Sequence, residues 1–277
     1  MDELRGKVAV ITGGASGIGL AVCHRAAAEG MGVVMADIEE APLEAAAEQL
    51  ARGGTDVLAV VTDVSDGASV ERLRDRAVEH FGAVHLVHNN AGVSVGGTLW
   101  EVPEADWRWV IGVNLWGVVH GIRAFVPLLV EQGEGHVVNT ASLAGLISPP
   151  LIGPYNATKH AVVTISETLL KDLRLVGAGV GVSVLCPGFV RTAISDSDRN
   201  RPAWAPSHTE GRVQELADIG KQLNAAGIDP AEVASAVFDA VRDDRFYVFT
   251  HPETKPAVAH RMHDLLDERT PDALPFA

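Results

Sequence analysis

Short valine-rich runs alternate along this chain with segments of helix length, and no other feature limits the fold so strongly. The runs are "KVAVIT" (7–12), "GVVMAD" (32–37), "VLAVVTD" (57–63), "VHLVHNN" (84–90), "GHVVNTAS" (135–142) and "GVSVLCPG" (181–188). Each is too short for a helix and too continuously apolar for a strand with one wet face, so they read as parallel strands buried on both sides. "RFYVFTH" (245–251) reads as a last strand. Between the strands, an Ala-rich segment stops at Gly30 and another opens near Pro42 and ends on Gly53-Gly54. A third follows Asp66 as N-cap, and longer helices are expected over 103–132, 154–177 and 229–243. Repeated strand–helix units of this kind fold as a doubly wound parallel sheet of about seven strands with helices on both faces. The chain has 277 residues, 47% of them hydrophobic, enough for one sizeable core. No low-complexity linker interrupts the alternation, so residues 1–277 are expected to form a single domain.

The first strand runs into "TGGASGIG", where Gly13, Ser16, Gly17, Ile18 and Gly19 precede a helix. Glycines here permit a tight turn and let the backbone approach a pyrophosphate seated on the helix N-terminus. A strand-to-helix turn needs glycine in any case, so the loop alone leaves both readings open. Asp37 closes the second strand, 20 residues beyond Gly17 (37 − 17), where an acid meets the ribose hydroxyls of a dinucleotide. A carboxylate there repels a 2′-phosphate, and neither Ile38, Glu39 and Glu40 nor the loop 13–19 supplies a cation. The expected cofactor is NAD(H). Asp37 as a simple helix cap is the competing reading, and it leaves the spacing unexplained.

Ligands of open α/β sheets bind beyond the carboxyl ends of the strands. Those ends carry Thr12 and Gly13, Asp37, Asp63, Asn89 to Gly92, Ser142, and Pro187–Gly188. The stretch "GPYNATKHA" begins a helix with Pro154 and sets Tyr155 and Lys159 one turn apart on one face. A free phenol is a poor base at neutral pH, and a nearby ammonium favours the phenolate and makes the hydroxyl a usable acid/base. Ser142, ending the preceding strand, can hydrogen-bond the same substrate oxygen.

Taken together, "TGGASGIG", Asp37, "DV" at 63–64, "NNAG" at 89–92, Asn114 in "VNLWG", Ser142 in "NTASLAG", "YNATK" at 155–159 and "PGFVRT" at 187–192 resemble the short-chain dehydrogenase/reductase family, of the single-domain type. The pieces run in family order from residue 7 to about 192, and "DPAEVA" at 229–234 extends the match. The resemblance implies a Rossmann-fold oxidoreductase interconverting a secondary alcohol and a ketone. Tyr155 would be its general acid/base, and Lys159 would lower the phenol pKa and hold the nicotinamide ribose. Ser142 would orient the substrate oxygen, and Asn114 would hold a relay water leading to Lys159. It also implies Asp63 and Val64 at the adenine and Asn90, Ala91 and Gly92 along the middle of the cofactor. Pro187, Gly188, Val190 and Thr192 would lie at its nicotinamide end. No metal is implied; His260 and His263 lack a third ligand nearby and read as surface-helix residues.

Residues 193–228 break the alternation and read as a substrate lid, with Trp204, Leu216, Ile219 and Leu223 as its apolar underside. With Val93, Val95, Leu143, Leu146, Ile147 and Phe189 they predict a pocket for an uncharged, fairly apolar alcohol or ketone. Arg199 and Arg201 read either as carboxylate ligands or as solvated loop charges. A formal net charge of −14 speaks against nucleic acid and anionic membranes as partners. Cys23 and Cys186 show no disulfide or metal spacing, the N-terminus lacks signal-peptide character, and no apolar run looks long enough to span a bilayer. A cytoplasmic location is expected. Two other functions compete: a reductase of carrier-bound 3-ketoacyl chains, against which Asp37 speaks, and a nucleotide-sensing protein without catalysis, which would not need Ser142, Tyr155 and Lys159 together. "VNLWGVVHGIRAFVPLLV" is apolar almost all round, Trp107, Trp109 and Trp116 read as packing residues, and the tail at 252–277 ends in the apolar "PDALPFA". In the family this chain resembles, the two long helices pair across a two-fold axis. A homotetramer is therefore expected, with a dimer as the alternative.

Overall fold

The computed structural model describes residues 1, 3–207 and 212–271. The side chain of Leu216 and the "PDALPFA" tip beyond residue 271 lie outside the described residues. Seven parallel strands form one sheet: β1 (Val8–Thr12), β2 (Gly32–Asp37), β3 (Val57–Val61), β4 (Leu86–Asn89), β5 (Gly135–Thr140), β6 (Val180–Cys186) and β7 (Tyr247–Phe249). Their order is β3-β2-β1-β4-β5-β6-β7. The chain therefore winds outward in one direction from β1 to β3, then returns beside β1 and winds the other way. β1 pairs with β2 on one edge (Ile11 opposite Met35) and with β4 on the other (Ile11 opposite His88). Their carboxyl ends flank the crevice created by that reversal, the place where doubly wound sheets bind ligands.

Both faces of the sheet are covered, which is why the central strands are buried at every position and mostly apolar. One face packs against α1 (Gly17–Ala28), α2 (Glu40–Arg52) and α8 (Pro230–Arg242) through residues such as Val22, Leu43, Val237 and Phe238. The other packs against α3 (Gly67–Phe81), α5 (Gly117–Gln132) and α6 (Gly153–Leu175) through Leu73, Phe125, Leu129 and Leu173. Local signals agree with this packing. Asp66 caps α3 by accepting from the Ala68 N–H, and Asp229 with Glu232 forms a capping box at the start of α8.

The expected helix over 103–132 is continuous but not regular. α4 (Glu104–Ile111) passes through a π-helical turn (Gly112–Trp116) into α5, and Asn114 sits in that turn. This 29-residue helix is long and apolar enough, by length and composition, to cross a membrane, so the expectation that no such stretch exists does not hold. The reason is that one side lies on the sheet while the other leaves apolar residues such as Trp116 and Val130 exposed. Residues 193–228 carry 3-10 turns (Ile194–Asn200) and α7 (Arg212–Ala225), and rejoin the body through a bridge between Val190 and Ile228. The chain beyond β7 ends in α9 (Lys255–Leu266), where His260 faces Asp264 at 3.4 Å.

Candidate active site

A cavity of about 1150 Å³ opens at the carboxyl ends of the strands. Every predicted site residue lines it except Gly19 and Asn114, which stand behind its wall. At one end, Gly13 (φ 67°) and Gly17 (φ 54°) hold left-handed conformations that a side chain would strain. A Cβ on Gly13 would lie 3.0 Å from Ala91 Cα, and one on Gly19 would meet the Gly13 carbonyl at 2.0 Å. The three glycines thus keep a shallow cradle open in front of α1. Ser16 precedes α1 in an extended conformation and makes no side-chain cap bond, so the first helical N–H groups have no intrahelical or capping partner. A bare helix N-terminus behind a glycine cradle fits a pyrophosphate.

Asp37 stands beside this cradle. One carboxylate oxygen accepts the Ala15 N–H (3.0 Å) and the other the Glu39 N–H (3.1 Å). A carboxylate has roughly four acceptor positions, so the two backbone bonds orient the group and leave capacity for a diol. Thr12 organises the next segment. Its hydroxyl accepts the N–H groups of Asn90 (2.9 Å) and Ala91 (3.1 Å), and the Asn90 amide donates to the Thr12 carbonyl (3.0 Å). Asp63 is turned by Ser65, whose hydroxyl and N–H both donate to it, so it lines the wall beside Val64. At the far end, His251 clamps the segment 187–190: its Nδ1 accepts the Gly188 N–H (3.1 Å) and its Nε2 faces the Phe189 carbonyl (3.1 Å). The Gly188–His251 pairing, across a separation of 63 residues, carries no local sequence signal.

Ser142, Tyr155 and Lys159 meet midway. The Ser142 hydroxyl accepts the Ala144 N–H at 3.1 Å and stands close enough to the Tyr155 phenol to favour its ionisation. Lys159 is buried, donates to the Thr140 carbonyl at 2.8 Å, and lies 5.4 Å from the centre of the Tyr155 ring. Burial pulls the Lys159 ammonium down to about 8. Burial also raises the Tyr155 phenol above its ordinary value; the Ser142 hydroxyl opposes this without reversing it. The expectation was a phenol lowered by Lys159. In this structure desolvation dominates the phenol, and the Lys159 ammonium donates to the Thr140 carbonyl. Asn114 is fully buried and its amide is committed: Oδ1 accepts the Val93 N–H (2.8 Å) and Nδ2 donates to the Val93 carbonyl (2.9 Å). It therefore fixes the strand end at 92–93 against Lys159, whose Nζ is 3.7 Å from where a Gly92 Cβ would stand.

Leu143, Ile147, Pro149, Ile152, Phe189, Leu223 and Trp204 give the cavity an apolar lining. Val95 and Leu146, expected in this wall, pack elsewhere: Val95 in a cluster with Trp109 and Val110, Leu146 against Val162 and Val163. Ile219 is exposed and lies outside the cavity. The two arginines behave as neither expected alternative. Arg201 is buried, with its guanidinium paired to the fully buried Asp106 and to Asp198 (2.7 Å) and stacked on Trp109 (4.6 Å). Arg199 crosses to the loop after β2 and pairs with Glu39 at 3.1 Å. Residues 160 positions apart form this contact, so the neighbourhood of Asp37 does contain a cation.

Comparison with known proteins accords with this geometry. The short chain dehydrogenase family model matches residues 7–203. A crystal structure of a short chain dehydrogenase/reductase from Burkholderia phymatum in complex with NAD superposes with a TM-score of 0.96 at 47% identity, covering 98% of each chain. A 1-deoxy-11-beta-hydroxypentalenate dehydrogenase of Streptomyces avermitilis is 40% identical over 266 residues, 95% of this chain and 91% of that one. An NADP-dependent (R)-specific alcohol dehydrogenase of Lentilactobacillus kefiri is 38% identical over 223 residues, 79% of this chain and 88% of that one. The chain belongs to the short-chain dehydrogenase/reductase family of Rossmann-fold oxidoreductases.

Proposed function

We propose that this protein is an NAD(H)-dependent oxidoreductase that interconverts a secondary alcohol and a ketone on an uncharged, fairly apolar substrate, with Tyr155 as general acid/base. The observation that carries the reading is the meeting of Ser142, Tyr155 and Lys159 in one cavity with the glycine cradle and Asp37. NAD is favoured because Asp37 offers a fixed carboxylate to a ribose diol and repels a 2′-phosphate, and the NAD-complexed Burkholderia phymatum relative agrees. The NADP-dependent Lentilactobacillus kefiri relative means that family membership alone does not choose between the two.

In this reading Gly13, Ser16, Gly17, Ile18 and Gly19 hold the pyrophosphate, Asp37 the adenosine ribose, and Asp63 and Val64 the adenine. Asn90, Ala91 and Gly92 support the middle of the dinucleotide, with Pro187, Gly188, Val190 and Thr192 at the nicotinamide. Once bound, the nicotinamide supplies the hydride exchange. The chain handles the proton. Ser142 donates to the substrate oxygen and orients it. The Tyr155 hydroxyl gives its proton to a ketone oxygen, or as phenolate takes one from an alcohol. Lys159 holds positive charge beside the phenol and donates to the nicotinamide ribose. Asn114 secures Gly92–Val93 with its amide, so a relay water toward Lys159 would be held by a main-chain carbonyl of the π-turn. The 193–228 segment acts as the lid that excludes water, residues 1–277 form one domain, and the active form is a homotetramer.

The test is a panel of apolar secondary alcohols with NAD, and of the matching ketones with NADH, followed by absorbance of the reduced nicotinamide. Turnover of apolar cyclic or aryl alcohols with NAD is expected. Activity confined to acyl-carrier-bound substrates with NADPH would replace the reading.

A further inference from the structure

Arg199 is the cation facing the adenosine end of the cavity from the lid side, where Asp37, Ile38, Glu39 and Arg199 all line the wall. Four of its five N–H groups are engaged. Nε and Nη2 donate to the Glu39 carboxylate at 3.2 and 3.1 Å, and Nη1 donates to the carbonyls of Ala193 and Asp196, each at 3.0 Å. The two carbonyls hold Arg199 in place from its own segment, so Glu39 alone decides which anion the remaining donors face. Glu39 in turn lies next to the ribose-binding acid, since its N–H donates to Asp37 Oδ1. Burial raises the Glu39 carboxyl, and hydrogen bonds from Arg199 and Asn200 with the Arg199 charge more than reverse this, so Glu39 stays ionised at neutral pH.

We propose that Glu39 is a second determinant of cofactor choice, acting by occupying Arg199 and so withholding its guanidinium from a 2′-phosphate at this end of the cavity. The inference rests on the NAD(H) reading above and adds a residue to it. A planar guanidinium with two parallel donors free is a good phosphate ligand, whereas one already in a two-point pair with a carboxylate is not. Glu39→Gln removes the competing charge and leaves a side chain of the same size, so Arg199 can turn its donors to the phosphate. The pair is partly exposed, with side-chain exposures of 36% for Arg199 and 21% for Glu39, which keeps the effect moderate.

The experiment measures kcat/KM with NADH and with NADPH for wild type, Glu39→Gln, Arg199→Gln and the double variant. Calorimetric binding of adenosine 2′,5′-bisphosphate against ADP to the same four proteins gives a readout that needs no turnover. Glu39→Gln should raise the NADPH/NADH ratio, and the bisphosphate/ADP affinity ratio, about five- to tenfold, the scale of a partly screened charge-assisted contact. Arg199→Gln alone should lower both ratios, and the double variant should lose most of the gain. A gain that survives intact in the double variant would mean that Glu39 acts only by its own repulsion, and would overturn the role of Arg199. Unchanged ratios in Glu39→Gln would overturn the proposal while leaving Asp37 as the selecting acid. Wild-type preference for NADPH would instead overturn the NAD(H) reading.

Discussion

Tyr155 and Lys159 are both buried, and burial moves their ionisations apart: the phenol up from its ordinary value, the ammonium down to about 8. Alcohol oxidation needs the phenolate, so its rate should climb as pH rises toward the Tyr155 ionisation, and ketone reduction should fall over the same interval. Lys159→Met removes an ammonium that is charged only below about 8, so phenolate formed in that range should be lost and the rising limb should move to higher pH; pH profiles of kcat/KM under conditions where chemistry limits the rate would test this. An unmoved limb would separate Lys159 from the proton chemistry. Tyr155→Phe deletes only the hydroxyl and should lower kcat/KM about 10²–10⁴-fold while leaving the NADH dissociation constant within about twofold. Asp37→Ala behaves differently, because Asp37 is the proposed ribose ligand and also anchors the cradle through the Ala15 N–H. It should weaken NADH binding by about 1.5–3 kcal/mol, the range for hydrogen bonds to a charged group, measured by fluorescence titration.

At the scale of elements, the proposed lid is held near its start by two arginines two residues apart. Arg201 anchors it permanently to α4, since its charge is buried against Asp106 and Trp109, whereas the Arg199–Glu39 clasp is partly open to water. Asp106→Ala leaves a buried guanidinium half-paired and should cost about 3–5 kcal/mol in denaturant unfolding. A loss below about 1 kcal/mol would mean that the pair is replaceable. Amide exchange over 193–207 should slow on addition of NAD with substrate, and least around the pinned Arg201. These contacts also mark where sequence reasoning ends. The strands, most helices and the site motifs are legible because each depends on neighbours in sequence: a run of valines, a capping Asp66, a tyrosine and lysine one turn apart. Arg201–Asp106, Arg199–Glu39 and Gly188–His251 join distant positions through tertiary packing, and nothing local distinguishes such arginines from solvated loop charges. The π-turn at Asn114 is hidden for a related reason: it inserts one extra residue into an otherwise ordinary apolar helix period.

For the whole molecule, the surface left over after folding is the argument for assembly. A formal charge of −14 sets copies of this chain against one another, so association requires apolar contact large enough to overcome the repulsion. Among the described residues, the helix 104–132 and α9 both offer it. The helix 104–132 turns Trp116 outward, 51% exposed and stacked on His120, with Val130 further along. α9 carries Met262, Leu265 and Leu266 exposed on its last turns. A surface on the long helix, facing its own copy across a two-fold axis, makes a closed dimer, and a second surface on the terminal helix can join two dimers into a tetramer. Light scattering of the full chain should therefore give a tetramer. A form ending at Thr254 should give a dimer, and Trp116→Glu should break the dimer contact. Raising the ionic strength should favour the larger species, because salt screens the net charge and leaves apolar contact intact. A truncated form that remains tetrameric would move the second interface away from α9. A monomeric full-length protein, at any salt concentration, would mean that these apolar residues are surface features without a partner copy.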